Sequence, residues 1–185
     1  MSSSSGFGSW RHLAERFFGA LSPAGPPPVD EAWALGHLLE GEQALWRRMS
    51  GPDRRHAVGV ARDALQLLGD GEPTRDVVTA GLLHDVGKVE SGLGTFSRVG
   101  VTLAAMAAGR TRLLKWGGAA PTGQRPSLKN RVGLYLAHDR VGAELLEAAG
   151  SEVLTVRWAR EHHLDAARWS VDSRVGAALK AADGD

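Results

Sequence analysis

The sequence predicts an all-α fold. Three observations carry that expectation. Apolar residues recur at helical spacing along nearly the whole chain, the intervals between these stretches hold Gly, Pro, Ser and Asp punctuation, and no segment shows the alternation of β-branched residues that a half-buried strand needs. The chain has 185 residues, of which 43% are hydrophobic and 23% charged. Those values are close to the globular average, so one domain with a sizeable core is expected and wholesale disorder is excluded.

Met1–Ser9 is polar and glycine-rich and reads as a loose tail. Trp10, Leu13, Phe17, Phe18 and Leu21 follow at helical spacing before Ser22-Pro23-Ala24-Gly25-Pro26-Pro27-Pro28. A flexible tail, a short amphipathic helix and a Pro-rich linker are therefore expected over residues 1–28, ahead of a domain at 29–185. The polar face of that first helix has few basic residues, which favours packing on its own domain or on a dimer mate over a membrane surface. Trp33, Leu38, Leu45, Trp46 and Met49 predict a helical stretch from Asp30 to Met49, with Gly51-Pro52-Asp53 as its break. Val58, Ala61, Leu65 and Leu68 predict a helix from Arg54 to Leu68, closed by the turn Gly69-Asp70-Gly71-Glu72-Pro73. Thr74 to Val86 is strongly apolar and reads as a buried helix, and Phe96 to Ala108 as a helix rich in small residues. After a loop at Gly117–Pro126, helices are expected over Leu128–Ala137, Val141–Ala149, Val153–His163 and Val171–Ala182, with Ser151 as an N-cap.

Charge and composition exclude several functions. Lys and Arg total 22 against 21 Asp and Glu, so there is no strong nucleic-acid signal and attraction for an anion must be local. The absence of cysteine removes disulfides, iron–sulfur clusters, thiolate zinc and a cysteine nucleophile. No apolar run is long enough to span a membrane, and the start lacks the basic and apolar regions of a signal peptide; a cytoplasmic protein is expected.

The chemistry is concentrated in histidine. The chain has seven, and two His-Asp doublets, His84-Asp85 and His138-Asp139, where about 0.4 would arise by chance from the composition. The first doublet ends an apolar helix in Leu82-Leu83-His84-Asp85-Val86-Gly87-Lys88. Burying an imidazole and a carboxylate there costs several kcal/mol (on the order of 2–7 for an unpaired polar group) unless they are paired or bind an ion. With no thiolate available, such an ion would be held by His and carboxylate, a donor set that suits Mn²⁺, Fe²⁺, Co²⁺, Ni²⁺ or Zn²⁺ and is compatible with Mg²⁺.

The order of these residues is the more specific signal: His56, then His84-Asp85 with Gly87-Lys88, then His138, then His162-His163, then Asp183. Over roughly residues 50–185 this resembles the HD-domain superfamily of metal-dependent phosphohydrolases. The resemblance implies an HD-like helical bundle in which His56, His84, Asp85 and Asp183 hold one ion. Asp85 would bridge to a second held by His138, His162 and His163. It further implies hydrolysis of a small phosphorylated substrate by a metal-activated water, with Asp85 central to catalysis and Lys88 near the bound phosphate. His162 and His163 can both be ligands only near a helix end, because neighbouring helical residues point about 100° apart. His12 and His37 fall outside the pattern.

From Ser91 to His138 there are seven basic residues and no Asp or Glu. This segment, Arg98 in particular, is a candidate for gathering phosphate, with a solvated face or a dimer contact as the plain alternative. A homo-oligomer is compatible with either. The Gly-Tyr-Pro element of the HD branch that cleaves cyclic dinucleotides is missing after His163, and Pro52 stands where three-metal variants carry a Glu, so two ions are favoured. A mixed-valence di-iron oxygenase of the same fold would use the same ligand types, and a catalytically silent metal- or nucleotide-binding module is the third reading.

Overall fold

The computed structural model describes residues 23–69, 75–94, 97, 100–101 and 126–184. Among them the chain forms eight α-helices and two short 3₁₀ turns, with no strand, as an all-α protein should. The expected N-terminal helix, most of the helix expected at Phe96–Ala108, and Arg98 lie outside the described residues.

Helix α1 (Pro28–His37) starts on a proline, whose missing N–H would be unbonded at that position in any case. The single stretch expected from Asp30 to Met49 is in fact two helices, α1 and α2 (Glu40–Arg48), separated by extended Leu38 and Leu39. No Gly or Pro marks this break; side chains take over the backbone groups. Gln43 Nε2 donates to the carbonyls of Leu35 (3.1 Å) and Leu38 (3.2 Å), Arg75 Nε donates to that of His37 (2.8 Å), and Glu42 accepts from Leu39 N–H (2.7 Å). Glu42 is fully buried, and Arg75 is its ion-pair partner at 2.8 Å.

Helix α3 (Gly51–Leu68) begins three residues earlier than expected. Ser50 is its N-cap, and Pro52 sits in the first turn, where it starts a helix as readily as it breaks one further in. Gly69, at φ 73°, closes it. Helix α4 (Arg75–Leu83) is buried continuously from Val77, and its Gly81 lies so close to Ala61 that an added Cβ would be 2.7 Å from that residue's Cα. The helix expected to reach Val86 stops at Leu83. His84 and Asp85 form a turn that leads into the 3₁₀ segment Val86–Ser91.

Ser127 caps α5 (Leu128–Leu136), and after Ala137 the chain starts α6 (His138–Ala148). Ser151 does not cap the next helix. It belongs to the end of α6, where Gly150 (φ 77°) lets Ser151 N–H reach the Leu146 carbonyl at 3.0 Å, and Glu152 takes the N-cap position of α7 (Val153–Glu161). A 3₁₀ turn at Ala166–Arg168 precedes α8 (Ser173–Asp183), capped by Asp172 at one end and by left-handed Gly184 at the other.

Helix α3 packs against α4 and α8, α7 against α4 and α6, and the 3₁₀ segment Val86–Ser91 against α5 and α6. The main core gathers Trp46, Val58, Leu82, Leu83, Val86 and Leu146. A second cluster, Ala64, Ala80, Trp158 and Leu179, seals α3, α4, α7 and α8 together. No helix among the described residues is long and apolar enough to cross a membrane.

Candidate metal centre

Five separate parts of the fold deliver His and Asp to one place. His56 stands in the second turn of α3 and Asp183 in the last turn of α8, and the packing of these two helices puts His56 Nε2 2.8 Å from Asp183 Oδ1. His84 and Asp85 follow the end of buried α4. His138 opens α6, and His162 and His163 lie just beyond α7. The 3₁₀ segment after Asp85 comes directly against the start of α6, where a Cβ on Gly87 would be 2.0 Å from His138 O and 2.5 Å from Gly142 N. Only glycine fits that approach, and it is what brings Asp85 beside His138.

The donor atoms fall into two groups. His56, His84 and Asp183 form one and His138, His162 and His163 the other, with the ligand atoms of each within 4.8 Å of one another. Asp85 lies between them. Its Oδ2 is 3.5 Å from His84 Nε2, while its Oδ1 is 3.3 Å from His138 Nε2 and 3.8 Å from His162 Nε2. His163 Nε2 is 3.1 Å from His138 Nε2, and the rings of His162 and His163 are 4.0 Å apart at their centroids.

Backbone carbonyls set which nitrogen of three rings faces the site. His84 Nδ1 donates to Gly81 O (2.9 Å), His138 Nδ1 to Tyr135 O (2.7 Å) and His162 Nδ1 to Ala159 O (3.0 Å). A carbonyl can only accept, so the proton is on Nδ1 and the Nε2 lone pair of the neutral ring is aimed inward, the outer-shell arrangement typical of metal-binding histidines. The buried Nε2 atoms of His84 and His162 have no hydrogen-bond partner among the described residues. A buried polar atom left in that state is costly, and a divalent cation meets the need of both. The residues present therefore fit one or two such ions.

Electrostatics in the cluster are strong. Burial works against a charge on His84, but the carboxylates of Asp85 and Asp183 outweigh it and raise the ring to about 9. Burial would also raise Asp85, yet Lys88, His84 and His138 hold its carboxyl well below the usual carboxylate range. Asp183 is likewise lowered against its own burial, by the hydrogen bond from His56 and by the His84 ring 3.6 Å away. His162 moves the other way: burial, then the charge on His84, push it well below an ordinary histidine.

A cation taken up by the His84 ring would therefore have to expel its proton. Because that ring stays protonated below about 9, apparent affinity is expected to fall as the pH is lowered, by up to roughly tenfold per pH unit for the one linked proton. Calorimetry in buffers of different ionisation enthalpy should report that release at neutral pH. An affinity constant between pH 6 and 9 would contradict a cation displacing a proton from His84.

All seven residues expected as ligands, His56, His84, Asp85, His138, His162, His163 and Asp183, meet in this cluster. Lys88 stands beside it, partly exposed, with its ammonium hydrogen-bonded to Asp85 Oδ2. His37 lies outside the two ligand groups and donates to Trp33 O. Arg131, counted in the basic segment, is used internally: its guanidinium donates to the carbonyls of Ser91 (3.0 Å) and Gly92. Two contributors were missed from the sequence. Tyr135, the only tyrosine, stacks on His138 at 5.8 Å in addition to orienting it through its carbonyl. Trp158, fully buried, backs the His162 ring at 6.3 Å. Tyr135 lies three residues before His138, the spacing that could have suggested it. No family model, curated protein or solved structure matches the chain.

Proposed function

We propose that the protein is a metal-dependent phosphohydrolase of the HD-domain type that hydrolyses a small phosphomonoester or phosphodiester, with a nucleotide-like substrate in keeping with the site. The observation that carries this reading is the position of Asp85, which offers one carboxylate oxygen to each of two three-residue ligand groups. In this reading His56, His84 and Asp183 would hold one cation, His138, His162 and His163 the other, and Asp85 would serve both. Such a pair of cations would supply an activated water at neutral pH and offset the charge on a phosphoryl group.

The chain's own residues do the rest. Lys88, oriented by its bond to Asp85, places a fixed positive charge at the partly exposed side of the cluster, where it can meet a non-bridging phosphoryl oxygen. The carbonyl-bound histidines keep Nε2 directed inward, so the rings need not turn to meet a cation. Arg98 and the basic segment around it are assigned to drawing the phosphate in.

The reading is tested by assaying protein loaded with Mn²⁺, Co²⁺, Ni²⁺ or Zn²⁺ against a panel of phosphomonoesters and phosphodiesters, beside Lys88→Ala. The variant is expected to keep its metal and lose roughly a hundredfold in kcat/KM. If Lys88→Ala loses metal as well, the phosphate role is wrong. If no ester is cleaved and the iron-loaded protein consumes dioxygen instead, the chain is an oxygenase.

A further inference from the structure

Two consecutive residues on a continuing helix diverge by about 100°, yet His162 and His163 both enter one ligand group. Nothing local explains the change of course. From Arg160 to Trp169 there is neither Gly nor Pro, and Ala166-Ala167-Arg168 are strong helix formers. The structure nevertheless ends α7 at Glu161, turns tightly with Leu164 N–H on Glu161 O (2.7 Å), and breaks at extended Asp165.

Two side chains on either side of the pair supply what the sequence lacks. Lys180 of α8 donates to the His162 carbonyl at 2.9 Å. That is the acceptor Ala166 N–H would use if α7 continued. Glu161, itself buried, accepts from Ser170 N–H (2.6 Å) and Ser170 Oγ (2.5 Å), which folds the chain after the histidines back onto α7. We propose that Glu161 and Lys180 are positioning residues, a clamp that stops α7 at His162, whose N–H still bonds the Trp158 carbonyl, so that His163 turns off the helix and both histidines face the same subsite. Lys180 stands one turn before Asp183 on α8, so the same contact also ties the Asp183 group to the His162–His163 group. Neither side chain touches the reacting atoms; they act through the backbone.

The metal arm of the test rests on the two-cation reading above, and the backbone arm does not. In full-length protein, Lys180→Met and Glu161→Ala are each expected to move the ¹³Cα secondary shifts of residues 163–168 toward helical values. Each is also expected to reduce bound metal by about one ion per chain. Lys180→Arg keeps a donor and should restore both readouts, which a merely destabilised fold would not. If either variant fails to fold, the other still tests the clamp from the opposite side. Unchanged shifts in both variants would overturn the proposal, as would helical shifts with undiminished metal. A wild-type protein that binds no metal, with shifts that still move in the variants, would support the clamp and refute the two-cation reading.

Discussion

Asp85→Ala is expected to empty both subsites at once. The carboxylate stands between the two ligand groups, with one oxygen toward His84 and the other toward His138 and His162, so its removal would take a ligand from each of the two proposed cations and the negative charge that would offset their mutual repulsion. The proposed hydrolysis should fall by about a thousandfold or more, the scale of losing several kcal/mol of charge stabilisation. A second readout does not depend on metal. Asp85 is the leading partner that raises His84 to about 9, so the His84 titration followed by NMR should move down in the variant. Direction matters for stability as well. A histidine whose folded pKa is raised stabilises the fold fully below its unfolded pKa, and that contribution fades as the pH rises through the folded value. The wild-type advantage from this pair is therefore expected below about pH 6.5 and to wane by about pH 9. Far-UV circular dichroism should stay helical, since Asp85 lies in a turn. Retention of two metals by Asp85→Ala would refute its bridging role.

Gly87→Ala is expected to damage the site without touching a ligand. Its Cβ would fall 2.0 Å from His138 O and 2.5 Å from Gly142 N, and both are backbone atoms that cannot swing aside. The 3₁₀ segment and α6 must separate, which carries Asp85 and Lys88 away from His138. Overpacking of this kind costs about 3 kcal/mol or more. For a domain of this size that is roughly a 6–12 °C fall in Tm. Metal affinity should drop in parallel. Gly59→Ala is the control: it lies in the same fold on an exposed position of α3 with nothing within 4 Å of the new Cβ. There the better helix propensity of Ala is expected to leave stability unchanged or raise it by up to about 1 kcal/mol. Equal losses in the two variants would mean that the contact between Gly87 and α6 is not what holds the site together.

Much of the site was legible because its signals are local or ordinal. Helix period marked α3, α4, α6, α7 and α8, and the succession of His56, His84-Asp85, His138, His162-His163 and Asp183 named the residues that meet. What escaped was set by contacts between distant parts of the chain. The break at Leu38-Leu39 is made by Gln43, Glu42 and Arg75, none of which is a helix-stop signal by itself. Ser151 has the composition of an N-cap but is spent on the end of α6. Pro52 was read as a breaker because its position relative to the Ser50 cap decides between starting and stopping a helix. The stop of α7 depends on Lys180 and Ser170, residues whose proximity only the fold reveals. Composition singled out the basic stretch from Ser91 to His138, but it could not show that Arg131 would turn inward onto Ser91 and Gly92.

In the proposed function this cluster would hold two cations sharing Asp85. Metal content per chain, by inductively coupled plasma mass spectrometry, bears on that directly. Wild type and Asp85→Ala would be purified side by side without chelator and reconstituted with each candidate metal under aerobic and anaerobic conditions. The expected result is about two ions per wild-type chain and close to none in the variant. Wild-type protein that takes up no metal in any of these preparations, or a variant that holds as much as the wild type, would contradict it.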